Sequence, residues 1–389
     1  MEFPNSLDFR RIESCSSLLA TYGAKPEEVE ELLAYNENVF HDPDLDPQTF
    51  PLAPEPHVAA WEGYHTQAQE VGVFETLRSH LVQLQFPIKP GISQTLAYQG
   101  ATRRGQPTIG MLEATGLALE QPDSLQLIIH PSAAGAIPVI IASCRKDFVS
   151  LVQALTKHNE PQAIPDSMGA AMVGGYNNWD RIRHYRRTWE AQQSQPVSEA
   201  AWNAEFKRII PQKHLYQDRF IILSQGNYSA VSASEMGMPE SQWHKLSLTI
   251  RLEHECTHYF TRRVLGSMRN NLLDELLADY QGIVAANDGY YRADWFLKFM
   301  GLESFPDYRA GGRVENYRGE PTLSEGAFKI LQRLVKDAAE NLEAFNLAHK
   351  NQLEGRSNQG KIVMALTRLR LEELADKRHN FLEEIWQNV

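Results

Sequence analysis

The sequence predicts an α+β protein: a mixed α/β N-terminal lobe that ends in one long helix, followed by a mainly helical C-terminal lobe. Three observations carry this. "SLQLIIHP" and "AIPVIIAS", between residues 124 and 143, are β-rich runs separated by "SAAGA", which predicts a hairpin or strand pair. "DRFIILSQGNYSAVSA", residues 218 to 233, reads as a strand followed by a Gly-Asn turn. Beyond it the apolar residues recur at helical spacing over 243–266, 271–288, 322–349 and 357–387.

The remaining elements follow in order. Residues 1–90 form a helical and irregular N-terminal segment. "PEEVEELLA" starts a short helix at residue 26, with Pro26 suited to its first turn. "HDPDLDPQTFPLAPEPH", residues 41–57, is too rich in proline for anything but an irregular connector. Residues 70–84 read as one helix, ended by "FPIKPG". An α/β lobe spans 91–267 and a helical lobe 268–389. In the α/β lobe "RKDFVSLVQALTKH" has helical spacing, and "GYNNWDRIRHYRRTWEAQ" reads as a turn and then an exposed helix. The four arginines of that helix, interleaved with Trp179 and two tyrosines, suit an anionic partner, but an amphipathic surface helix explains them more simply.

Composition narrows the class. A chain of 389 residues with 42% hydrophobic and 22% charged residues is ordinary for a globular protein. The net charge of -11 argues against a nucleic-acid binder. The N-terminus has no basic segment followed by an apolar run, and the longest apolar stretch, near 132–143, is short and interrupted by Pro138. Cys15, Cys144 and Cys256 imply no disulfide framework. The expectation is a cytoplasmic protein that binds neither nucleic acid nor membrane.

Chemistry concentrates in "RLEHECTHYFTRR", residues 251–263, where His254, Glu255 and His258 spell His-Glu-x-x-His. The surrounding stretch lacks proline and internal glycine, and Gly266 stands where a helix would stop. On a helix the two histidines share a face one turn apart, so both imidazoles reach one ion at about 2.0–2.1 Å. Glu255 is rotated one step aside, able to hold water without taking a ligand position. Cys256 points away, toward core packing. Catalytic zinc usually takes three protein ligands. "NNLLDELLADYQGIVAA" supplies a third in Glu275, with Asp279 four residues on, placed to accept a hydrogen bond from the free ring nitrogen of a zinc histidine. Gly282 and Ala286 on the same face would let this helix approach the first closely. A chance His-Glu-x-x-His is expected only roughly 0.03 times in a chain of this histidine content, so the motif outweighs coincidence.

His254-Glu255-x-x-His258 followed by Glu275-x-x-x-Asp279 resembles the gluzincin class of zinc metallopeptidases, which includes the thermolysin-like enzymes. The resemblance covers residues 244–288 and implies a zincin-like fold. It also implies that His254, His258 and Glu275 bind Zn2+, that Glu255 activates water, and that Asp279 orients a histidine. The strand "RFIILSQGNYSAV" matches the class's edge strand, which holds substrate backbone. The interval from His258 to Glu275 is shorter than in thermolysin, and no downstream histidine matches the residue that steadies the oxyanion there.

For that donor the sequence offers Tyr290, Tyr291, Tyr317, Arg313 and His349. Tyr317 and Arg313 are preferred, because they lie in a Gly-rich loop, "RAGGRVENYRGE", after the metal helices. Arg251 and Arg262 would either recognise a substrate carboxylate or pair with Asp274 or Asp279. The reading is a zinc hydrolase acting on a peptide or amide-containing small molecule. The alternatives are a zinc-dependent biosynthetic enzyme and a non-catalytic zinc-binding protein.

Overall fold

A computed structural model describes residues 6–40, 50–268 and 271–388, with only the backbone of 6–10. The 41–49 part of the proline-rich connector lies outside the described residues. In chain order the elements are α1 (Ser6–Thr21), α2 (Pro26–Tyr35), α3 (Val58–Val71), α4 (Val73–His80) and α5 (Leu96–Arg104), then β1 (Gln126–His130), β2 (Ile137–Ala142), α6 (Arg145–Thr156), β3 (Ala170–Asn177), α7 (Trp179–Ala191), α8 (Glu199–Ile209) and β4 (Gln217–Ser224). A helical run follows: α9 (Glu240–Val264), α10 (Leu272–Ala286), α11 (Ala293–Met300), α12 (Glu325–Leu353), α13 (Arg356–Thr367), α14 (Leu371–Ala375) and α15 (Phe381–Trp386). The fold is mixed α/β, mostly helical, with one small sheet. Among the described residues no helix is long and apolar enough to cross a membrane.

The chain divides into two compact units. One comprises residues 53–226 and the other 1–52 with 227–389. The sequence reading instead sets a boundary at residue 267 and groups the metal helix with the sheet. Packing decides the difference: α9 lies against α10, so the two halves of the motif share the helical unit.

Unit 53–226 holds the sheet, in the order β1-β2-β4-β3. β1 and β2 form the expected antiparallel pair, with Ile128 opposite Val139. β2 runs parallel to β4, and β4 antiparallel to β3. The expected edge position for the strand at 218–224 is therefore wrong: β4 is interior. Phe220, Ile221, Ile222 and Leu223 are all buried, as suits a central strand covered on both faces. β3 escaped the sequence reading because "AAMVGGYN" is rich in small residues of low β-propensity, and its register shifts between Gly174 and Tyr176, with Gly175 at φ +89 between them. The helix expected over 70–84 breaks at Gly72, whose φ of +88 ends α3 and begins α4. On α7, Arg181 pairs with buried Asp218 at 2.7 Å and Arg186 with Glu190 at 2.7 Å, so the arginine patch is largely spent inside its own unit.

In the helical unit, α9 and α10 sit close to their expected bounds. Gly266 adopts φ +69 just past the end of α9, as a terminating glycine does. α10 is buried on every side from Leu272 to Ile283. Its leucines, Tyr280 and Ile283 join Trp243, Phe299 and Phe328 in the core. The helix expected over 357–387 is three helices, because the backbone turns extended at Arg370 and Asp376 and the Asn380 side chain caps α15.

One buried acid away from the motif gives the fold a pH dependence. Glu372 is fully buried on α14, takes one hydrogen bond from Asn36 Nδ2 at 3.0 Å, and leaves Oε2 unpartnered among the described residues. Burial pushes its carboxyl up to about 7. A raised folded-state pKa means the folded chain holds this proton more tightly, so the contribution is intact at acidic pH and is lost as pH climbs from about 4.5 to about 7. Glu372→Gln should match the wild type in urea denaturation near pH 4.5 and exceed it at pH 8 by up to about 3 kcal/mol. Equal stabilities at pH 8 would show that the acid is not strained there.

Candidate metal centre

α9 and α10 pack so tightly because α10 carries glycine at their contact. A Cβ added to Gly282 would come within 2.6 Å of the Ile250 carbonyl oxygen. Ile250 lies one turn before His254, and Gly282 lies seven residues after Glu275, so this contact fixes the spacing of the two functional stretches.

The approach brings His254, His258 and Glu275 together, all buried, with one ligand atom from each inside a 4.8 Å cluster. The His254 and His258 Nε2 atoms face each other at 3.0 Å. Glu275 Oε2 lies 3.6 Å from the first and Oε1 3.7 Å from the second. Ligands of a tetrahedral zinc at 2.0–2.1 Å stand about 3.3–3.4 Å from each other. The imidazole pair stands closer than that and each Glu275 oxygen slightly farther from its own imidazole, a cluster that could hold one small ion.

The far ring nitrogens explain why the Nε2 atoms point inward. His254 Nδ1 donates to Asp279 Oδ1 at 2.8 Å, the partner anticipated from the sequence. His258 Nδ1 faces Asp274 Oδ1 at 3.5 Å, and both groups lack any other partner among the described residues. A carboxylate behind each imidazole favours the Nδ1–H tautomer and leaves the Nε2 lone pairs converging on Glu275.

Two further residues complete the cluster. The Tyr228 hydroxyl donates to Asp279 Oδ1 at 2.5 Å and lies 2.9 Å from His254 Nδ1. Arg313 donates through Nη2 to Glu275 Oε2 at 2.7 Å and to Asp279 Oδ2 at 2.9 Å, and through Nη1 to Tyr228 at 3.2 Å and Ser229 at 2.9 Å. Burial opposes charge on Asp279, but Arg313 and His254 hold its carboxyl down to about 2. Glu275 is likewise held below the usual range against its burial, by Arg313 and both histidines. Asp274 is raised by burial, with His258 opposing. Burial also opposes charge on His258, yet Asp274, Glu275 and Glu255 lift its imidazole to about 9.

Glu255 is only partly exposed, and no described residue hydrogen-bonds or ion-pairs with its carboxylate. Cys256 is buried and forms no disulfide. Tyr317 lies beside Glu275; burial and that carboxylate raise its hydroxyl above the ordinary phenol range, so it stays a donor. Tyr290 is exposed under Lys350, and His349 is bound to Glu383 at 2.7 Å, so neither belongs to the cluster. Tyr291 is fully buried against Tyr280. Arg251 donates to the Asn227 carbonyl at 3.0 Å and stacks over Tyr228, and Arg262 is exposed.

Sequence reasoning missed Tyr228 and the part played by Asp274. Tyr228 lies in a turn 26 residues before His254, with no motif to mark it. Asp274 precedes Glu275 directly, and only the packing shows that it stands behind His258.

The tight contact at Gly282 is testable. Gly282→Ala gains up to about 1 kcal/mol of helix propensity but crowds a packed interface at a cost of about 1–3 kcal/mol. The thermal midpoint should fall. A higher midpoint would mean that α9 and α10 do not rely on this approach.

A family of unknown function, DUF7005, matches the chain over residues 17–378. No curated protein and no solved structure gave a significant match. The family match spans nearly the whole chain, which therefore belongs to the DUF7005 family.

Proposed function

We propose that this protein is a zinc-dependent hydrolase of gluzincin type that cleaves a peptide or amide bond. The observation that carries the reading is the convergence of two imidazole Nε2 atoms, 3.0 Å apart, on the Glu275 carboxylate, with a carboxylate behind each ring. Two nitrogens and one carboxylate oxygen make the three-ligand set of a catalytic zinc, whose fourth position serves water or substrate. The zincin-like fold and a cytoplasmic setting belong to the same proposal.

His254, His258 and Glu275 would hold the zinc, which would supply Lewis acidity and bring the pKa of a bound water down toward neutrality. Glu255 accepts the proton of the attacking water and returns it to the departing nitrogen. Asp279 and Asp274 keep their imidazoles in the binding tautomer. Tyr317, whose hydroxyl sits at the Glu275 carboxylate and is only partly buried, is the donor assigned to the developing oxyanion. Arg313 is already committed to Glu275 and Asp279, so its role is to fix the third ligand.

Glu255 favours this reading over a non-catalytic zinc protein, which has no use for a partly exposed carboxylate without a hydrogen-bond partner beside its ligands. A biosynthetic enzyme would use the same zinc and base on a different bond. The test is metal content by plasma mass spectrometry with hydrolysis of a peptide and amide substrate panel. Wild type should hold about one zinc per chain, and Glu275→Ala should lose most of it. Glu255→Gln should keep the zinc and lose about 100- to 10,000-fold in rate. A wild-type chain that stays zinc-free after loading and dialysis would sink the proposal.

A further inference from the structure

We propose that the N-terminal helix α2 is part of the scaffold of the metal centre, and that Tyr35 is a positioning residue joining the helix that carries Glu275 to the element that carries Arg313. The inference rests on the metal reading above and assigns a role to a segment that the motif does not reach.

Tyr35 is the last residue of α2 and is 8% exposed. Its hydroxyl accepts the Leu272 N–H at 3.2 Å and donates to the Tyr317 carbonyl at 3.0 Å. Leu272 is the first residue of α10, where the backbone N–H groups have no partner inside the helix. The neighbouring cap, the Asn271 side chain, satisfies Asp274 N–H instead. Tyr35 thus anchors the first turn of α10, three residues before Glu275.

The other bond reaches the opposite side of the same ligand. Tyr317 closes a short 3-10 helix, Arg313–Tyr317, whose first residue sends its guanidinium to Glu275 and Asp279. Val314 anchors the middle of this element in the core, and Tyr35 holds its C-terminal end. The Tyr35 ring seats against Gly319, where an added Cβ would fall 2.9 Å from a ring carbon. Earlier on α2, Glu31 accepts the Ser324 N–H at 2.7 Å, tying down the same loop further along. One hydroxyl therefore ties the first turn of the helix that carries the third ligand to the element whose Arg313 orients that ligand. Removing it frees the Arg313 element and the first turn of α10 together, while the ring still fills its place.

The experiment measures zinc-ion affinity by chelator competition on the full chain, for wild type, Tyr35→Phe and Tyr22→Phe. Tyr22→Phe is the control: it loses a bond to Asp337 of 2.6 Å, also made from the N-terminal segment, which has no link to the cluster. Tyr35→Phe should bind zinc at least about tenfold more weakly, as loss of support behind a ligand does, and Tyr22→Phe should bind like wild type. Wild-type affinity in Tyr35→Phe overturns the inference and leaves the metal reading standing. An equal loss in both variants also overturns it, because the effect is then general destabilisation. Absence of zinc binding in wild type removes the metal reading and this inference with it. If Tyr35→Phe does not fold, Gly319→Ala, which pushes on the Tyr35 ring from a backbone at φ +83, takes its place with the same expected loss, and Gly355→Ala, equally strained at φ +89 but with open space around it, should bind zinc like wild type; an equal loss in both overturns the inference.

Discussion

The helical unit depends on three carboxylates buried in one helix. Asp274, Glu275 and Asp279 lie on α10, whose residues from Leu272 to Ile283 are all buried. A buried carboxylate is strongly unfavourable unless it is paired and hydrogen-bonded. Arg313 cancels one of the three charges, and the two imidazoles of α9 face the remainder. The arrangement is balanced either by protons on the histidines or by one divalent cation among the ligand atoms. The lifted His258 is what the cluster looks like when protons fill that need. Because ligands must be deprotonated, a metal would compete with those protons for the same lone pairs.

The rest of the helical unit arranges matters so that this pairing is possible. Gly282 removes the side chain that would hold α10 away from Ile250. Tyr228 enters from the turn before α9 and fills the hydrogen-bonding capacity of Asp279 that His254 leaves open. Arg313 arrives from the loop after α11 and Tyr35 from the N-terminal helix. The turn at Tyr228, α9 and the Arg313 loop thus meet around the carboxylates of α10, with Tyr35 bracing two of these stretches from behind. Such a network is worth keeping only when every member is satisfied, since a partly satisfied buried network costs more than an apolar core. Asp274 and His258 are the looser pair, at 3.5 Å, and they form the side on which the cluster can still tighten.

How much of this the sequence reveals depends on whether an interaction is local. His254, Glu255 and His258 lie within five residues, and Glu275 and Asp279 repeat one helical turn apart, so both halves can be read by periodicity alone. Their meeting was inferred from Gly282, a small residue at the right offset. Tyr228, Ser229 and Tyr35 reach the cluster through tertiary contacts across 26 to 237 residues, and no spacing rule reports those. The Gly-rich loop marks Arg313 as an oxyanion donor, but its partners are the carboxylates of α10, which only the tertiary packing reveals. The strand at 218–224 shows the same limit: its apolar run marks a strand, while its place inside the sheet is set by β3, whose small residues hide it.

Burial separates a structural metal site from a reactive one. A structural zinc prefers four closed protein ligands. Here the three converging groups are each almost fully enclosed, and the residue next to them on α9, Glu255, is not: it is partly exposed, acts on His258 only through its charge, and no described residue hydrogen-bonds or ion-pairs with its carboxylate. Glu275 and Asp279 are spent on Arg313, and Asp274 stands opposite His258 without a hydrogen bond among the described residues. Were charge balance the sole requirement, a fourth carboxylate would only worsen it. Its presence at the accessible side of an otherwise enclosed cluster makes sense when a proton must be taken from, and handed back to, something that comes and goes.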